Sequence, residues 1–296
     1  MHLYRDAAEG RRVVGEYPIV EYGEGAGVRL GDTAGTVAEA LASLRAGGVD
    51  HGCALNSFEL PGYPRPPQGG WPAVPPYPEH ADELRAIDAW ICAVGAEHPE
   101  VLPFVTVNPA VLSAAEAAAH VARMADEHGA RGLKLHTIAL RAFPAEPALA
   151  NTFAACAERA LPVVAHCGPD RHGAGWALPG AFAAVLERHP DLPLVLAHLG
   201  GAAWRDVAEL ARAFPAARFD LSEIASWSGH APGAPSRAEL SALIGEIGAE
   251  RVLMGSDFPW YEPGDVVAAV EELPGLGDAE RAAILGENAA ALLGVA

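Results

Sequence analysis

Five short apolar runs, beginning roughly thirty residues apart, constrain this 296-residue chain more than anything else in its sequence. They are RGLKLH, LPVVAHCG, LPLVLAHLGG, ARFDLS and RVLMGSDFPW. Thirty residues is about the length of a strand, a crossover helix and two loops, so the rhythm predicts a parallel sheet. Four of the runs also close on side chains that packing alone rarely places there: Lys134 with His136, His166, His198 and Asp257. A buried carboxylate needs a metal, a partner charge or several hydrogen bonds. Four distant strand ends that carry ionisable groups therefore predict one shared site.

Two earlier runs, at about 49–56 and 101–107, bring the strands to seven. A closed (β/α)8 barrel takes eight and carries its active site at the carboxyl ends of its strands, where these polar residues fall. An open doubly wound sheet accepts seven but does not converge four strand ends on one point. The expectation is an α/β chain folded as one (β/α)8 barrel domain over 1–296, with its first strand truncated or irregular. Helices are expected at about 36–46, 79–97, 113–128, 147–160, 179–189, 202–214, 236–248, 264–272 and 278–293. Three of these open with capping boxes, Thr36 with Glu39, Ser113 with Glu116 and Ser236 with Glu239. Residues 1–35 show no periodic element. The proline-rich stretch 57–78, with Phe58, Tyr63, Trp71 and Tyr77, reads as an ordered lid; a solvated surface excursion is the other reading.

A formal charge of −18 opposes binding to nucleic acid or to anionic membranes. No run has the length of a membrane span and the first residues lack a signal-peptide core, which makes a cytoplasmic protein the default. Cys53, Cys92, Cys156 and Cys167 form no CxxC pair and read as reduced thiols.

A hydrolytic metal takes imidazole nitrogens and a carboxylate, with one position left for water. His166 and Asp257 fit as ligands, and Asp257 can also accept the water's proton. His198 would orient that water, polarise a carbonyl or complete the metal shell. Lys134 would pair with a substrate carboxylate, or bridge two metals if carbamylated. His136 and His172 stand near the mouth without a defined role, and Glu223, Trp227, Phe258 and Trp260 are candidates to line a pocket.

At these residues the chain resembles the amidohydrolase superfamily, in its amidohydrolase-related branch with the aminocarboxymuconate semialdehyde decarboxylase group. GLKLH, PVVAHCG, LVLAHLGG and RVLMGSDFP match strand motifs of that branch, and ILGENAAALLG with Asn288 matches its closing helix, over about 36–296. The resemblance implies zinc, or another divalent metal such as manganese, held by His166 and Asp257, with His198 catalytic. It also implies a homodimer. The family's first strand ends in His-x-His, which is absent here. That departure predicts that Met1 holds the middle position and His2 the second histidine, a further metal ligand, with the first histidine upstream of an incorrectly assigned start and the metal under-occupied. If the gene does begin at Met1, the site is instead weakened or metal-free.

The leading expectation is a metal-dependent hydrolase that opens a C–N, lactone or ester bond of a small organic acid, using Asp257 and His198. A metal-dependent decarboxylase is the second reading and a catalytically silent barrel the third. In the first two, Arg5, Lys134, His136 and Trp260 would bind the small-molecule substrate.

Overall fold

The structure, a computed structural model, describes every residue except 17–21, 24–27, 29, 61, 63, 64, 68, 172 and 296. His172 and Tyr63 lie outside the described residues. The chain opens with helices α1 (Ala7–Glu16) and α2 (Val37–Ala46), then runs through β1 (Gly52–Ala54), α3 (Ala81–Glu97), β2 (Val101–Thr106), α4 (Ala114–His128) and β3 (Gly132–Leu135). It continues with a single turn, α5 (Thr137–Leu140), α6 (Ala150–Glu158), β4 (Val163–Ala165), α7 (Ala183–Arg188), β5 (Leu194–Leu196), α8 (Val207–Ala213) and β6 (Arg218–Asp220). The rest is α9 (Ile224–Trp227), α10 (Arg237–Ile247), β7 (Val252–Leu253), α11 (Pro263–Glu271), α12 (Asp278–Ala282) and α13 (Asn288–Leu293).

All seven strands are parallel and pair in chain order, β1 to β7. This is the curled sheet of a (β/α)8 barrel with one strand fewer. The eighth place is taken by residues 1–3. On one side the amide of His2 donates to the Phe258 carbonyl at 2.7 Å, and on the other the amide of Leu55 donates to the Met1 carbonyl at 2.7 Å. The Leu3 backbone exchanges two hydrogen bonds with the Asn56 side chain, at 3.0 and 2.6 Å. These bonds set His2 beside the end of β7. A parallel bridge between Tyr4 and Thr36 ties down the next residue.

Register decides which side chains face inward. Phe104, Val164, Val195 and Leu253 pack together inside the ring, with Cys53 and Leu55 against them. Their neighbours Leu133, Leu135, Val163, Ala165, Leu194, Leu196 and Phe219 face the helices in the main core. Lys134 pairs with Thr106 and Val164, and Asp220 with Leu253, so both stand on the inward face. Gly132 is required by a close approach, since a Cβ there would meet the Phe104 ring at 2.0 Å.

All three capping boxes form, each with both reciprocal hydrogen bonds. The first residues hold a helix that the sequence did not signal: α1 has no continuous apolar stripe, and Asp6 starts it by accepting from the amides of Ala8 and Glu9 at 2.8 and 2.9 Å. In the stretch 57–78, Phe58 and Trp71 are buried, and the Trp71 indole donates to the Leu140 carbonyl at 2.8 Å. That bond seats Trp71 against the turn that follows β3.

Two polar clusters hold the outer layer together. Arg251 donates to the carbonyls of Ala217, Ala211, Ile247 and Phe214 at 2.9–3.3 Å, neutralising the carboxyl ends of α8 and α10. Between α3, α4 and β2, Arg123 donates to His120 Nδ1 at 3.4 Å, which leaves the ring hydrogen on Nε2 to bond Asp88 at 2.7 Å. The other Asp88 oxygen accepts from the Thr106 amide at 3.0 Å. No helix among the described residues is long and apolar enough to cross a membrane.

Replacing Arg251 with Ala strands several carbonyls at once and is expected to cost about 2–4 kcal/mol in urea unfolding. Burial pushes Asp88 up to about 6 despite its bonds to His120 and Thr106. Its raised pKa adds stability below the unfolded value near 4, and that stability is lost as pH rises through about 6. Asp88→Asn does not titrate, so its stability relative to the wild type is expected to rise by on the order of 1–3 kcal/mol between pH 4 and 7. A pH-independent difference would contradict this.

Candidate metal centre and active site

His136, His166, His198 and Asp257 each follow the carboxyl end of a strand, and at His198 and Asp257 the backbone takes a positive φ. Among the described residues only Arg141, Ala160, His198, Leu199, Glu223 and Asp257 have positive φ without being glycine. Three of the six, His198, Glu223 and Asp257, offer ligand atoms that lie within 4.8 Å of one another. Glu223 is the most constrained of them. At φ 64° and ψ −61° it is the centre of a γ-turn of the rarer positive-φ form, closed by the Ile224 amide on the Ser222 carbonyl at 2.6 Å. Such conformations cost about 1–3 kcal/mol each and persist where the surroundings fix them.

Two close pairs stand around these three residues. His2 Nε2 lies 3.1 Å from Asp257 Oδ1, and His166 Nδ1 lies 3.1 Å from His198 Nε2. The His136 ring stacks on His166 with centroids 4.3 Å apart and planes within 6°. Trp260 meets His2 edge-on at 5.3 Å. The structure thus brings together His2, His136, His166, His198, Asp257 and Trp260, with Lys134 on the inward face below. Arg5 is not among them. It is exposed, its guanidinium donates to the Ala86 carbonyl at 3.1 Å, and it lies over the Trp90 ring.

Protons can be assigned along one chain of bonds. Asp220 Oδ1 accepts from the amides of His198 and Ser222, at 3.0 and 2.9 Å, and from the Ser222 hydroxyl. With its hydrogen given to Asp220, the Ser222 hydroxyl accepts from His198 Nδ1 at 2.9 Å. His198 therefore carries hydrogen on Nδ1 and turns the lone pair of Nε2 toward His166 and the mouth. Asp220 and Ser222 were not singled out from the sequence. Their signal was the D-x-S spacing in ARFDLS, which puts both on the inward face of one strand end.

The electrostatics favour a cation. Burial holds His166 and His136 well below the ordinary histidine range, and neighbouring histidines and Lys134 push the same way. Burial also lowers His2, against the opposing pull of Asp257. For Asp257 burial acts upward, but the bond from His2 and the nearby His198 and Lys134 outweigh it and hold the carboxyl well below the usual range. Neutral imidazoles beside an ionised carboxylate are the protonation states that a metal requires.

The spacing fits as well. Ligands bonded at about 2.1 Å around a four-coordinate ion stand about 3.1–3.4 Å apart, close to the 3.1 Å between His2 Nε2 and Asp257 Oδ1. The donor set, imidazole nitrogen and carboxylate oxygen, suits zinc or manganese. Glu223, read from the sequence only as pocket lining, joins it as a second carboxylate, 3.7 Å from His198 Nδ1.

A family model described as amidohydrolase matches residues 77–295. No curated protein matches the sequence. Among solved structures, the chain is similar to an uncharacterised TIM-barrel protein from Bordetella bronchiseptica, with TM-score 0.70, 17% identity and 90% of this chain against 86% of that one. It is also similar to a 5-carboxyvanillate decarboxylase from Sphingomonas paucimobilis, with TM-score 0.63, 20% identity and coverage of 87% and 83%. A third is a dihydroxybenzoic acid decarboxylase from a Polaromonas species, solved with bound manganese and an inhibitor, with TM-score 0.69, 14% identity and coverage of 99% and 95%. At these identities the likeness establishes the barrel.

If Asp257 anchors a cation, Asp257→Asn is expected to weaken manganese or zinc binding at least about 100-fold in a competitive chelator titration, with thermal unfolding of the metal-free protein little changed. Unchanged affinity would remove Asp257 from the metal site.

Proposed function

Because the chain belongs to the amidohydrolase family, we propose that it is a metal-dependent enzyme acting on a small organic acid, and that its reaction is decarboxylation. The sequence reading favoured hydrolysis. What supports decarboxylation instead is that several of the solved structures similar to most of this chain are decarboxylases, one of them with manganese bound. The observation that carries the metal is the convergence of His198, Glu223 and Asp257, flanked by His2 and His166, at one end of the ring.

In this reading His2, His166 and Asp257 hold a divalent ion, which when bound polarises a substrate oxygen beside the carbon that loses its carboxylate. Asp257, held ionised, is a poor acid and acts through its charge. His198 is the proton carrier. Its Nδ1 is committed to Ser222, and Asp220 stands behind as the carboxylate that stabilises the imidazolium, so Nε2 is the nitrogen that takes up a proton from solvent and passes it on. As the bond to the carboxylate breaks, its electron pair stays on the substrate carbon, Nε2 delivers the proton there, and carbon dioxide departs. Trp260, edge-on to His2, restricts water at the mouth.

The test is a screen of hydroxybenzoic and unsaturated dicarboxylic acids with manganese- or zinc-loaded protein in deuterium oxide, read by carbon dioxide release and product mass. Release of carbon dioxide with one deuterium on the product carbon is the expected result. Loss of at least about 100-fold in kcat is expected for His198→Asn. Opening of an amide or lactone without carbon dioxide would return the reaction to hydrolysis.

A further inference from the structure

Glu223 and Asp257 follow neighbouring strands, and their ligand atoms lie within 4.8 Å of each other although both backbones are strained. Two carboxylates at that range repel unless a cation lies between them. β6 ends at Asp220 and β7 at Leu253, so sheet pairing stops short of both residues. What holds them is found beyond them. Glu223 leads into α9, a single turn that ends on Trp227, and the Trp227 amide returns to the Glu223 carbonyl at 3.1 Å. Asp257 leads into a turn closed by the Trp260 amide on the Asp257 carbonyl at 3.1 Å, and Tyr261 comes next. The two turns meet there, because the Trp227 indole N–H donates to the Tyr261 hydroxyl at 2.5 Å. Tyr22 stacks on the Trp227 ring, with centroids 5.5 Å apart and planes 23° from parallel, and all three rings are buried. Residues ahead of α2 grip both turns: the Tyr22 carbonyl accepts from the Gly233 amide at 3.0 Å, and the Gly31 amide donates to the Trp260 carbonyl at 2.7 Å.

A helix of one turn does not hold itself together in water, so α9 keeps its place through what Trp227 touches. We infer that Trp227 and Tyr261 are positioning residues for the metal centre. Their hydrogen bond, backed by the Tyr22 ring, locks the turn after Glu223 to the turn after Asp257 and so sets the separation of the two carboxylates. Core filling would require the rings but not the directed bond between them. Each end of that bond also stands one short turn beyond a residue held at positive φ, where an outside constraint is needed to keep the strained conformation. The consequence for metal binding rests on the proposed metal centre; the locking of the two turns does not.

Hydrogen exchange of the metal-free protein tests the lock, followed by NMR at the Ile224 and Trp260 amides, which close the two turns. Tyr261→Phe, which removes one hydroxyl and keeps the ring, is expected to speed exchange at Ile224, on the opposite turn, at least about fivefold. Trp227→Phe is expected to do the same at Trp260, with amides of β3 and β4 unchanged to within about twofold in both variants. The double variant is expected to exchange no faster than the faster single one, since both singles break the same bond. Manganese affinity, by competitive chelator titration, is expected to fall at least about fivefold in each single variant and no further in the double. Should Trp227→Phe fail to fold, Tyr261→Phe carries both measurements. Faster exchange confined to the mutated residue's own turn, or additive effects in the double variant, would reduce the cluster to core packing and overturn the proposal. So would unchanged affinity in the variants of a protein that binds manganese. A wild-type protein that binds no manganese would remove the metal centre, and the exchange rates would still decide the lock.

Discussion

The carboxylate of Asp257 is the point on which the rest of the site depends. Its carboxyl is held well below the usual range because the bond from His2 and the nearby His198 and Lys134 outweigh its burial. The two ends of the sheet meet there. Asp257 follows the last strand, His2 belongs to the residues that fill the place of the missing one, and the bond between them closes the ring across the gap. Closing the ring and placing His2 beside Asp257 are therefore the same act. Any displacement of residues 1–3 would open the sheet and take His2 away from Asp257 together.

The backbone records what this arrangement costs. His198, Glu223 and Asp257 all sit in left-handed conformations that ordinary side chains avoid, and all three contribute to one cluster of donors. The strain is offset by the surrounding scaffold, which is fixed by strand register, by three capping boxes and by the Arg251 cluster under the carboxyl ends of two helices. A rigid lower ring and a strained upper rim is the division of labour expected of a barrel that binds at its strand ends.

Much of this was legible in the sequence, and the exceptions have physical causes. The spacing of apolar runs gave the seven parallel strands, because a crossover unit has a fixed length. His166, His198 and Asp257 were visible because each ends such a run. Helix α1 was not, since it forms on a start signal from Asp6 rather than on an apolar stripe. Glu223 was underrated because its direction comes from a γ-turn, which no residue type announces. Arg5 reads as a substrate contact in the sequence because its charge suits a carboxylate, but its side chain turns outward to Ala86 and Trp90. Asp220 and Ser222 act through hydrogen bonds to His198, and a partner of that kind is found only once two strand ends are known to be neighbours. The choice between hydrolysis and decarboxylation is not written in these residues, since both need the same cation and the same imidazole.

The central claim is that distant strand ends share one cation, and anomalous diffraction from crystals grown with manganese tests it most directly. The account predicts a single strong manganese peak at the carboxyl end of the ring, within about 2.3 Å of ligand atoms of both His166 and Asp257. Manganese bound elsewhere, or no peak at this end of the ring in crystals that contain the ion, would contradict it.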